Sequence, residues 1–362
     1  MFVKKLMLKS FRNYENETFE FSDGLNLIAG RNAQGKTNAV EAVFLLATGY
    51  SPKVKRDKQV IRYGDKSGKI SAVAHTRLGE ISSQIEYFSD SNKKITVNGQ
   101  DTKKVSDLLG NIFAVFFNPG ELKLIQEAPE DRRRFLDISI SQINKQYFSD
   151  LSIYKKILNQ RNNLLKEPDK EIIYDTLPVW DEQFSAYAAD IITARKNYVE
   201  KIAPFAKEAH SFITDGKEVL EVSLFGNYPE SKEEIRENIS EALKLNLEKD
   251  IVLGCTSVGP HRDDLKITVN KEDVKNYGSQ GQQRTAALSL KIAELNVYKE
   301  RFGEYPVLIL DDAMSELDTS RQQRLLAVTE GVQTIITCTD ATEKCFEGKN
   351  FKIFRIEGGK IV

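Results

Sequence analysis

Long apolar runs and closely spaced cysteines are both missing from this sequence of 362 residues. No run of about 18 apolar residues occurs, and the segment MFVKKLMLKSF is too short and too interrupted by lysine for a signal peptide. We therefore expect a soluble, non-secreted protein of the cytoplasm with no membrane partner. Cys255, Cys338 and Cys345 lack metal-ligand spacing, which favours reduced thiols over disulfides or a zinc site.

The sequence also lacks an excess of positive or negative charge. The 52 lysines and arginines are balanced by 53 aspartates and glutamates, so the net charge is -1. Proteins that coat nucleic acid through bulk charge are strongly basic. Any contact with nucleic acid must therefore be local, or must depend on a change of state.

Strand and helix patterns follow one another in three blocks. Residues 1–110 contain short strand patterns, a hairpin turn at Asn98-Gly99 and one helical pattern directly after GRNAQGK. Helical patterns dominate over 129–210, and strand patterns return after residue 245. We therefore predict an α/β fold in which residues 1–110 and 245–362 form one domain, while residues 111–244 form an inserted α-helical lobe.

The lobe carries a predicted short helical hairpin. Large apolar residues recur at heptad spacing from Tyr147 to Leu165, with Arg161 at the one skipped position. A second run with similar spacing extends from Trp180 to Phe205. Pro168 and Asp169 between the runs indicate a reversal, so the two helices should lie antiparallel.

A phosphate-binding motif opens the first helix. The segment GRNAQGKT matches G-x-x-x-x-G-K-[ST] and lies between the apolar run LNLIA and a helical pattern, as a P-loop requires. Glycines let backbone N–H groups point at phosphate oxygens, the lysine reaches the β- and γ-phosphates, and the threonine holds Mg²⁺. We therefore expect ATP and Mg²⁺ as ligands. The predicted nucleotide-binding residues of the loop are Gly30, Arg31, Asn32, Ala33, Gln34, Gly35, Lys36 and Thr37.

Two carboxylates follow a buried-strand pattern, VLILDD, late in the chain. Asp311 is expected to hold Mg²⁺ together with Thr37, and Asp312 to orient or deprotonate the attacking water. With Lys36, these two aspartates form the predicted catalytic set. Nucleotide hydrolysis is the leading interpretation of the P-loop and this strand taken together.

Neither a kinase nor a small GTPase accounts for SQGQQRT (279–285) or SELD (315–318). ABC-type ATPases do, because there the P-loop of one subunit and a signature segment of another close on the same nucleotide. A serine at a helix N-terminus and the adjacent glycine then meet the γ-phosphate. This interpretation adds four residues to the predicted nucleotide site: Ser279, Gln280, Gly281 and Gln282.

Several blocks of the sequence resemble the RecF family, bacterial recombination mediators related to the ATPase heads of SMC proteins. The blocks are FRNYEN (11–16), GRNAQGKTNAVEA (30–42), FFNPGELKLIQEAPEDRRRFLD (116–137), VGPHRDDL (258–265), YGSQGQQRT (277–285) and LILDDAMSELD (308–318). The resemblance covers essentially the whole chain. It implies an ABC-type P-loop ATPase head with an inserted helical lobe, in which 279–284 is the signature segment and 315–318 the D-loop.

The resemblance also implies recombinational repair of gapped DNA. ATP would drive formation of a homodimer that clamps double-stranded or gapped DNA and helps to load RecA, with RecO and RecR as partners. Asp312 is one methylene shorter than the glutamate that ABC enzymes usually place there, so we predict slow, DNA-stimulated hydrolysis that resets the clamp. In place of the usual histidine after the next strand, TIITCTD offers Thr337 or Thr339, and Asn118 is the candidate for the usual glutamine that senses metal and water.

A basic segment, SPKVKRDKQVIRYG, follows the first helix. An isolated basic run is most often a solvated loop, whereas the resemblance favours contacts with DNA phosphates. The candidate DNA-binding residues are Lys53, Lys55, Arg56, Lys58 and Arg62. A second basic cluster, DRRRFLD, is flanked by Asp131 and Asp137 and predicts intramolecular ion pairs.

Three other classes share parts of this pattern. A heptad hairpin is foreign to the ABC subunits of transporters, and a P-loop kinase would transfer phosphate to an acceptor rather than to water. An SMC-like or nuclease-associated head with another DNA role is the remaining alternative, but its coiled coil is far longer than the segment available here.

Overall fold

Two six-stranded sheets and one three-stranded sheet form the framework of the protein. The computed structural model describes the chain except for residues 52, 55, 227, 340–345, 347 and 349. The strands are β1 (Phe2–Phe11), β2 (Tyr14–Glu20), β3 (Leu25–Ala29), β4 (Ser67–Thr76), β5 (Gly79–Phe88), β6 (Lys94–Val97), β7 (Gln100–Thr102), β8 (Ala114–Phe117), β9 (Leu220–Phe225), β10 (Asp264–Val269), β11 (Glu272–Asp273), β12 (Val307–Asp311), β13 (Thr334–Cys338), β14 (Phe351–Glu357) and β15 (Lys360–Ile361). The helices are α1 (Lys36–Thr48), α2 (Val105–Leu108), α3 (Lys123–Gln126), α4 (Pro129–Ile143), α5 (Lys145–Leu164), α6 (Lys170–Thr214), α7 (Lys232–Leu245), α8 (Leu247–Leu253), α9 (Val274–Tyr277), α10 (Gln280–Phe302) and α11 (Thr319–Val328). Among the described residues, no helix is both long enough and apolar enough to cross a membrane.

The central sheet holds parallel strands in the order β14-β3-β13-β12-β8, with β15 at its edge. Both of its faces are covered, so neighbouring side chains of one strand enter different cores: Leu27 packs in one core and Ile28 in the other. This burial explains why LNLIA and VLILD are continuous apolar runs. Because parallel strands share one carboxyl edge, the residues that follow β3, β12, β13 and β8 lie along that edge.

An antiparallel sheet in the order β2-β1-β4-β5-β6-β7 contributes to one of the two cores, together with α1. Helix α1 contacts strands of both sheets, β4 and β13, so it is buried nearly all round. Asn98 and Gly99 have positive φ angles of 49° and 78° and join β6 to β7. The hairpin turn predicted at this pair is therefore confirmed.

The helical hairpin consists of α5 and α6, which pack against each other. Asp169 accepts a hydrogen bond from the N–H of Glu171 (2.9 Å) and so caps α6. The reversal predicted at Pro168-Asp169 is confirmed. The predicted fold class, an α/β fold with an inserted helical hairpin, is confirmed as well.

Helix α6 starts at Lys170, well before the predicted start at Trp180, and therefore contains Pro178. A proline inside a helix removes one backbone hydrogen bond. Ile173 and Leu177, four residues apart on one helix face, pack in a small apolar cluster at the end of the hairpin. The sequence pattern alone did not reveal this cluster.

Two strands inside the range predicted for the lobe, 111–244, pair with strands outside it. β8 is the edge strand of the central sheet beside β12, and β9 pairs with β10. The apolar run AVFF does not indicate which strand it pairs with, so we predicted it as part of the helical lobe that follows. The sheet pairing places 114–117 with the central sheet instead, and the start of the lobe shifts accordingly.

The cluster DRRRFLD forms intramolecular ion pairs, as predicted, but with residues far away in sequence. Arg132 pairs with Asp264, with 3.0 Å between Nη2 and Oδ2. Asp137 pairs with Arg195 on α6 (2.7 Å). These pairs join α4 to β10 and to the hairpin.

Arg161, at the skipped heptad position, is completely buried. Its Nη1 donates to Asp250 Oδ2 (2.9 Å) and to Thr256 Oγ1 (2.8 Å), and its Nε donates to Asp181 Oδ1 (2.7 Å). Asp250 is buried as completely as the arginine. A charged pair thus replaces apolar packing at this position and ties α5, α6 and α8 together.

Arg161→Ala is expected to lower the free energy of unfolding by about 3–5 kcal/mol, because Asp250 would remain buried without a partner charge. Urea unfolding followed by circular dichroism measures this loss. Arg236→Ala removes an exposed pair with Glu182 (3.7 Å) in the same lobe and should cost less than about 1 kcal/mol. Equal effects of the two substitutions would contradict this account.

Candidate nucleotide-binding site

The loop between β3 and α1 is tightly packed at its two glycines. Gly30 has a φ of 151°, and a Cβ there would lie 2.4 Å from the carbonyl oxygen of Ile356. Gly35 has a φ of 115°, and its Cβ would lie 2.5 Å from Nδ2 of Asn13. Only glycine fits at either position. The strand, loop and helix order predicted for the P-loop is therefore present.

Lys36 folds back over this loop. Its Nζ donates to the carbonyl oxygens of Gly30 (2.6 Å) and Arg31 (2.9 Å). The ammonium group is therefore held at the centre of the loop, at the N-terminus of α1, where P-loops bind phosphate.

The turn between β1 and β2 supports the loop from outside. Asn13 Nδ2 donates to the carbonyl of Gln34 (2.8 Å), and Asn38 Nδ2 donates to Asn13 Oδ1 (2.9 Å). Tyr14 donates its hydroxyl hydrogen to the carbonyl of Gly35 (3.0 Å). The block FRNYEN carried no assigned role in the sequence, because nothing local indicates that this turn reaches the P-loop.

A buried ion pair fixes α1 to the same turn. Arg12 Nη2 and Nε donate to the two carboxylate oxygens of Glu41 at 2.6 and 3.0 Å. Glu41 is fully buried and also accepts from the hydroxyl of Ser51. The segment after α1 is thereby held next to the loop, and sequence analysis missed all three residues.

Asp311, the last residue of β12, lies opposite Thr337 of β13. The Thr337 hydroxyl donates to Asp311 Oδ1 (2.8 Å) and accepts from the N–H of Asp312 (2.9 Å). This hydroxyl is used within its own sheet, and the phosphate contact expected of Thr337 or Thr339 stays a prediction. Asn118 directly follows β8, the strand next to β12, so it lies at the same carboxyl edge.

Burial raises the pKa of Asp311, and hydrogen bonds from Thr337 and Thr37 oppose that shift. The Thr37 hydroxyl therefore lies beside the Asp311 carboxylate. Hydroxyl and carboxylate oxygens are hard ligands of the kind that Mg²⁺ prefers. A cation here would also relieve the desolvation of Asp311, so the two residues predicted to hold Mg²⁺ fit that ion.

Asp312 has a left-handed backbone with a φ of 55°. Besides the contact of its N–H with Thr337, its carbonyl accepts from the hydroxyl of Ser315 (2.8 Å). A non-glycine residue in this conformation is strained, and such strain is common at functional sites. The exposed carboxylate is thus turned away from the sheet while its neighbour Asp311 stays buried.

The signature segment begins α10 with a reciprocal cap. Ser279 Oγ accepts from the N–H of Gln282 (3.2 Å), and Gln282 Oε1 accepts from the N–H of Ser279 (2.9 Å). Ser279 uses an oxygen lone pair in this cap, so its hydroxyl hydrogen remains available to an anion. Ser279 and Gln280 are exposed, and Gly281 is partly exposed.

The other glutamines of the segment face the chain itself. Gln282 Nε2 donates to Glu218 (3.0 Å), whose second oxygen lies 3.2 Å from Nε2 of the buried His210 on α6. Gln283 is buried and accepts from Gln126 Nε2 (2.8 Å). Gln282 thus shares its side-chain amide with the helical lobe, while its backbone N–H caps α10 through Ser279. Its expected part in nucleotide binding stays a prediction.

The predicted DNA-binding residues differ in their surroundings. Desolvation lowers the pKa of Lys53 while the carboxylate of Asp311 raises it, so Lys53 lies near the nucleotide site. Arg62 lies near Glu15 (3.5 Å) and Asp65 (3.8 Å). Arg56 and Lys58 are exposed on the turn after α1. Lys55 lies outside the described residues.

Comparison with known proteins first defines the class. A family model described as the RecF/RecN/SMC N terminal domain matches residues 2–361. A solved Smc head bound to the C-winged helix domain of ScpA has the same fold, with a TM-score of 0.59 and 17% identity over 100% of this chain and 97% of that chain. The fold, the P-loop and the paired aspartates therefore define an SMC-like, ABC-type ATPase head.

Closer similarity links the chain to RecF proteins. Proteins named DNA replication and repair protein RecF from Ruminiclostridium cellulolyticum and Acetivibrio thermocellus are 41% and 39% identical, over 100% and 99% of this chain and 99% of each relative. A solved structure described as the recombination mediator protein RecF-ATPrS in the RecFOR pathway is 37% identical, with a TM-score of 0.91 over 99% of this chain and 97% of that chain. The chain belongs to the RecF family, and the resemblance inferred from the sequence blocks is confirmed.

Thr337→Val is expected to lower the rate of ATP hydrolysis by about 10–100-fold, because it removes the hydrogen bond that orients Asp311. Nucleotide affinity without metal should change little, since the P-loop is untouched. Phosphate release and fluorescent-nucleotide titration separate the two effects. Thr334→Val, at a buried threonine of the same strand, is the control, and an equal loss in both variants would rule out the positioning role.

Proposed function

We propose that this protein is an ATP-dependent DNA-binding protein of recombinational repair. ATP pairs two copies of the chain, the pair clamps DNA, and slow hydrolysis opens it. The observation that carries the proposal is the signature segment: an exposed, uncharged helix start whose serine keeps a free hydroxyl hydrogen, fixed to the helical lobe through Gln282 and Glu218. An anion-binding element of this kind is completed by a nucleotide bound to a second copy.

Each copy supplies the residues that bind its own nucleotide. Lys36 exchanges its carbonyl contacts for the β- and γ-phosphates, and the N–H groups of the loop surround them. Thr37 and Asp311 are the residues that hold Mg²⁺, which supplies positive charge to the phosphates. Asp312, exposed at the edge of the sheet, orients the attacking water. Its short side chain holds the water less closely than a glutamate would, which accounts for slow hydrolysis.

The second copy closes the site. Its Ser279 hydroxyl and the backbone N–H of Gly281 reach the γ-phosphate, where the N-terminus of α10 favours negative charge. Loss of the γ-phosphate removes the charge that these groups bind, so the two copies separate. ATP thus acts as a switch.

The pairing of two copies also provides a DNA surface that a single chain of net charge -1 lacks. Arg56 and Lys58 are exposed directly after α1, and pairing would bring two such turns together. The relatives named DNA replication and repair protein RecF and the RecF structures of the RecFOR pathway support a role in DNA repair. We infer gapped or double-stranded DNA as the ligand, RecO and RecR as partners, RecA loading as the outcome and the cytoplasm as the location.

An SMC-like or nuclease-associated head with another DNA role is the second candidate, because solved Smc heads share the fold. The short hairpin of α5 and α6 favours the first proposal, since end tethering needs a much longer coiled coil. A P-loop kinase would yield a phosphorylated acceptor. DNA-stimulated release of free phosphate supports the clamp.

The double variant Arg56→Glu, Lys58→Glu is expected to weaken ATP-dependent binding of duplex DNA and to reduce the slope of log affinity against log salt by about 1 per removed charge. Fluorescence anisotropy across a salt series measures both changes, and ATP affinity should stay the same. The control reverses Lys201 and Lys207, which are exposed on α6. Unchanged DNA binding in the first variant would refute the assigned surface.

A further inference from the structure

Arg321 lies beside the signature segment although it belongs to α11, far along the chain. A Cβ built on Gly281 would lie 3.6 Å from Nη1 and 3.7 Å from Nη2 of this arginine. The side chain is 31% exposed. A guanidinium group therefore occupies the same exposed end of the molecule as Ser279 and Gly281.

Asp318, the last residue of the D-loop, fixes the position of Arg321. Its Oδ2 accepts from Arg321 Nη1 (2.7 Å), and its Oδ1 accepts from the N–H of the same residue (3.0 Å). These hydrogen bonds lower the pKa of Asp318, so the carboxylate is ionised and the pair is charge-assisted. An arginine has five N–H donors, and its pairing with one carboxylate oxygen leaves donors for a further anion.

Helix α11 lies on the side of the helical lobe. Arg324, one turn after Arg321, donates to the carbonyls of Phe212 (3.2 Å) and Ile213 (2.8 Å) near the end of α6. Glu218, which contacts Gln282 of the signature segment, follows α6 directly. Arg321 is thus anchored on the same structural unit as the signature segment.

We propose that Arg321 contacts the γ-phosphate of the ATP bound to the P-loop of a second copy of the chain. Water attacks the γ-phosphorus, the bond to the β,γ-bridging oxygen breaks, and ADP keeps the electron pair of that bond. The water proton passes to Asp312 of the copy that holds the nucleotide. Arg321 donates hydrogen bonds to the negative charge that develops on the phosphate oxygens during this step. Arg321 forms no covalent bond and stays protonated. This inference rests on the paired site described under the proposed function.

The exposed start of the signature segment carries no charge, which explains why such an arginine is useful. Ser279, Gln280 and Gly281 offer neutral donors, which bind a phosphate but add little positive charge in the transition state. A positioned arginine adds that charge at the moment of reaction. Asp318 keeps the guanidinium paired while no nucleotide is present, so no uncompensated charge faces the partner before ATP binds.

The test is a mixing experiment between two variants that both keep the P-loop. Asp312→Asn loses the water-orienting carboxylate but keeps Arg321, and Arg321→Ala has the opposite defect. Each alone should hydrolyse ATP about 100-fold or more slowly than the wild type. In a mixed dimer, the nucleotide site of the Arg321→Ala copy meets the intact arginine of the other copy. One complete site then forms in each mixed dimer.

Mixing equal amounts is expected to restore about a quarter of the wild-type rate, because half of random pairs are mixed and each holds one complete site. No recovery, with mixed dimers shown to form by sedimentation in ATP, would overturn the proposal, since an arginine that acts within its own copy cannot be complemented. If the Arg321→Ala protein does not dimerise, Arg321→Lys is mixed with Asp312→Asn instead, and the same recovery of the hydrolysis rate is expected.

Two controls separate this inference from the proposed function. Gln323→Ala, at an exposed position on the same helix, should keep a rate within about 2-fold of the wild type, as expected for a surface substitution. Wild type and Asp312→Asn should both dimerise with ATP. Failure of both to dimerise would reject the paired site itself, whereas normal dimers without recovery on mixing would reject only the role of Arg321.

Discussion

Burial of the Asp311 carboxylate at the end of β12 is the constraint on which the rest of the site depends. A charge that has lost its water needs compensation, and the structure supplies the Thr337 hydroxyl from the next strand and the Thr37 hydroxyl from the P-loop. The order β3-β13-β12 places the P-loop and Asp311 on either side of Thr337. A parallel sheet buried on both faces makes that arrangement rigid.

The signature segment at the start of α10 is subject to a different requirement. In the proposed pairing the signature segment is presented to another molecule. It is exposed and yet held firmly through Gln282, Glu218 and His210. Burial lowers the pKa of His210, which keeps this link free of an additional positive charge at neutral pH. Because His210 lies on α6, the hairpin helix and the signature helix are expected to move as one body. Closure of two copies would then carry the helical lobes with it.

Local features of the sequence predicted the site better than distant ones. The P-loop and VLILDD are contiguous patterns in which spacing and chemistry coincide, so Lys36 and Asp311 were identifiable directly. The contacts of Asn13 with the loop, of Arg12 with Glu41 and of Glu218 with Gln282 join segments far apart in sequence, and no periodicity reports them. Lys53 comes from a basic run for which one shared role was predicted. Desolvation lowers its pKa and the Asp311 carboxylate opposes that shift, and its contact with DNA stays a prediction. The strand at 114–117 was likewise not identified from the sequence, because the short run AVFF gives no sign of its partner in the central sheet.

The central claim is that ATP pairs two copies of the chain and that pairing creates the DNA-binding surface. Sedimentation velocity of the wild type and of Lys36→Arg, each with and without ATP and duplex DNA, tests it most directly. The account predicts a wild-type monomer without ATP, a dimer that co-sediments with DNA when ATP is present, and a Lys36→Arg protein that remains monomeric and unbound. A monomer that binds DNA equally well with and without ATP would contradict it.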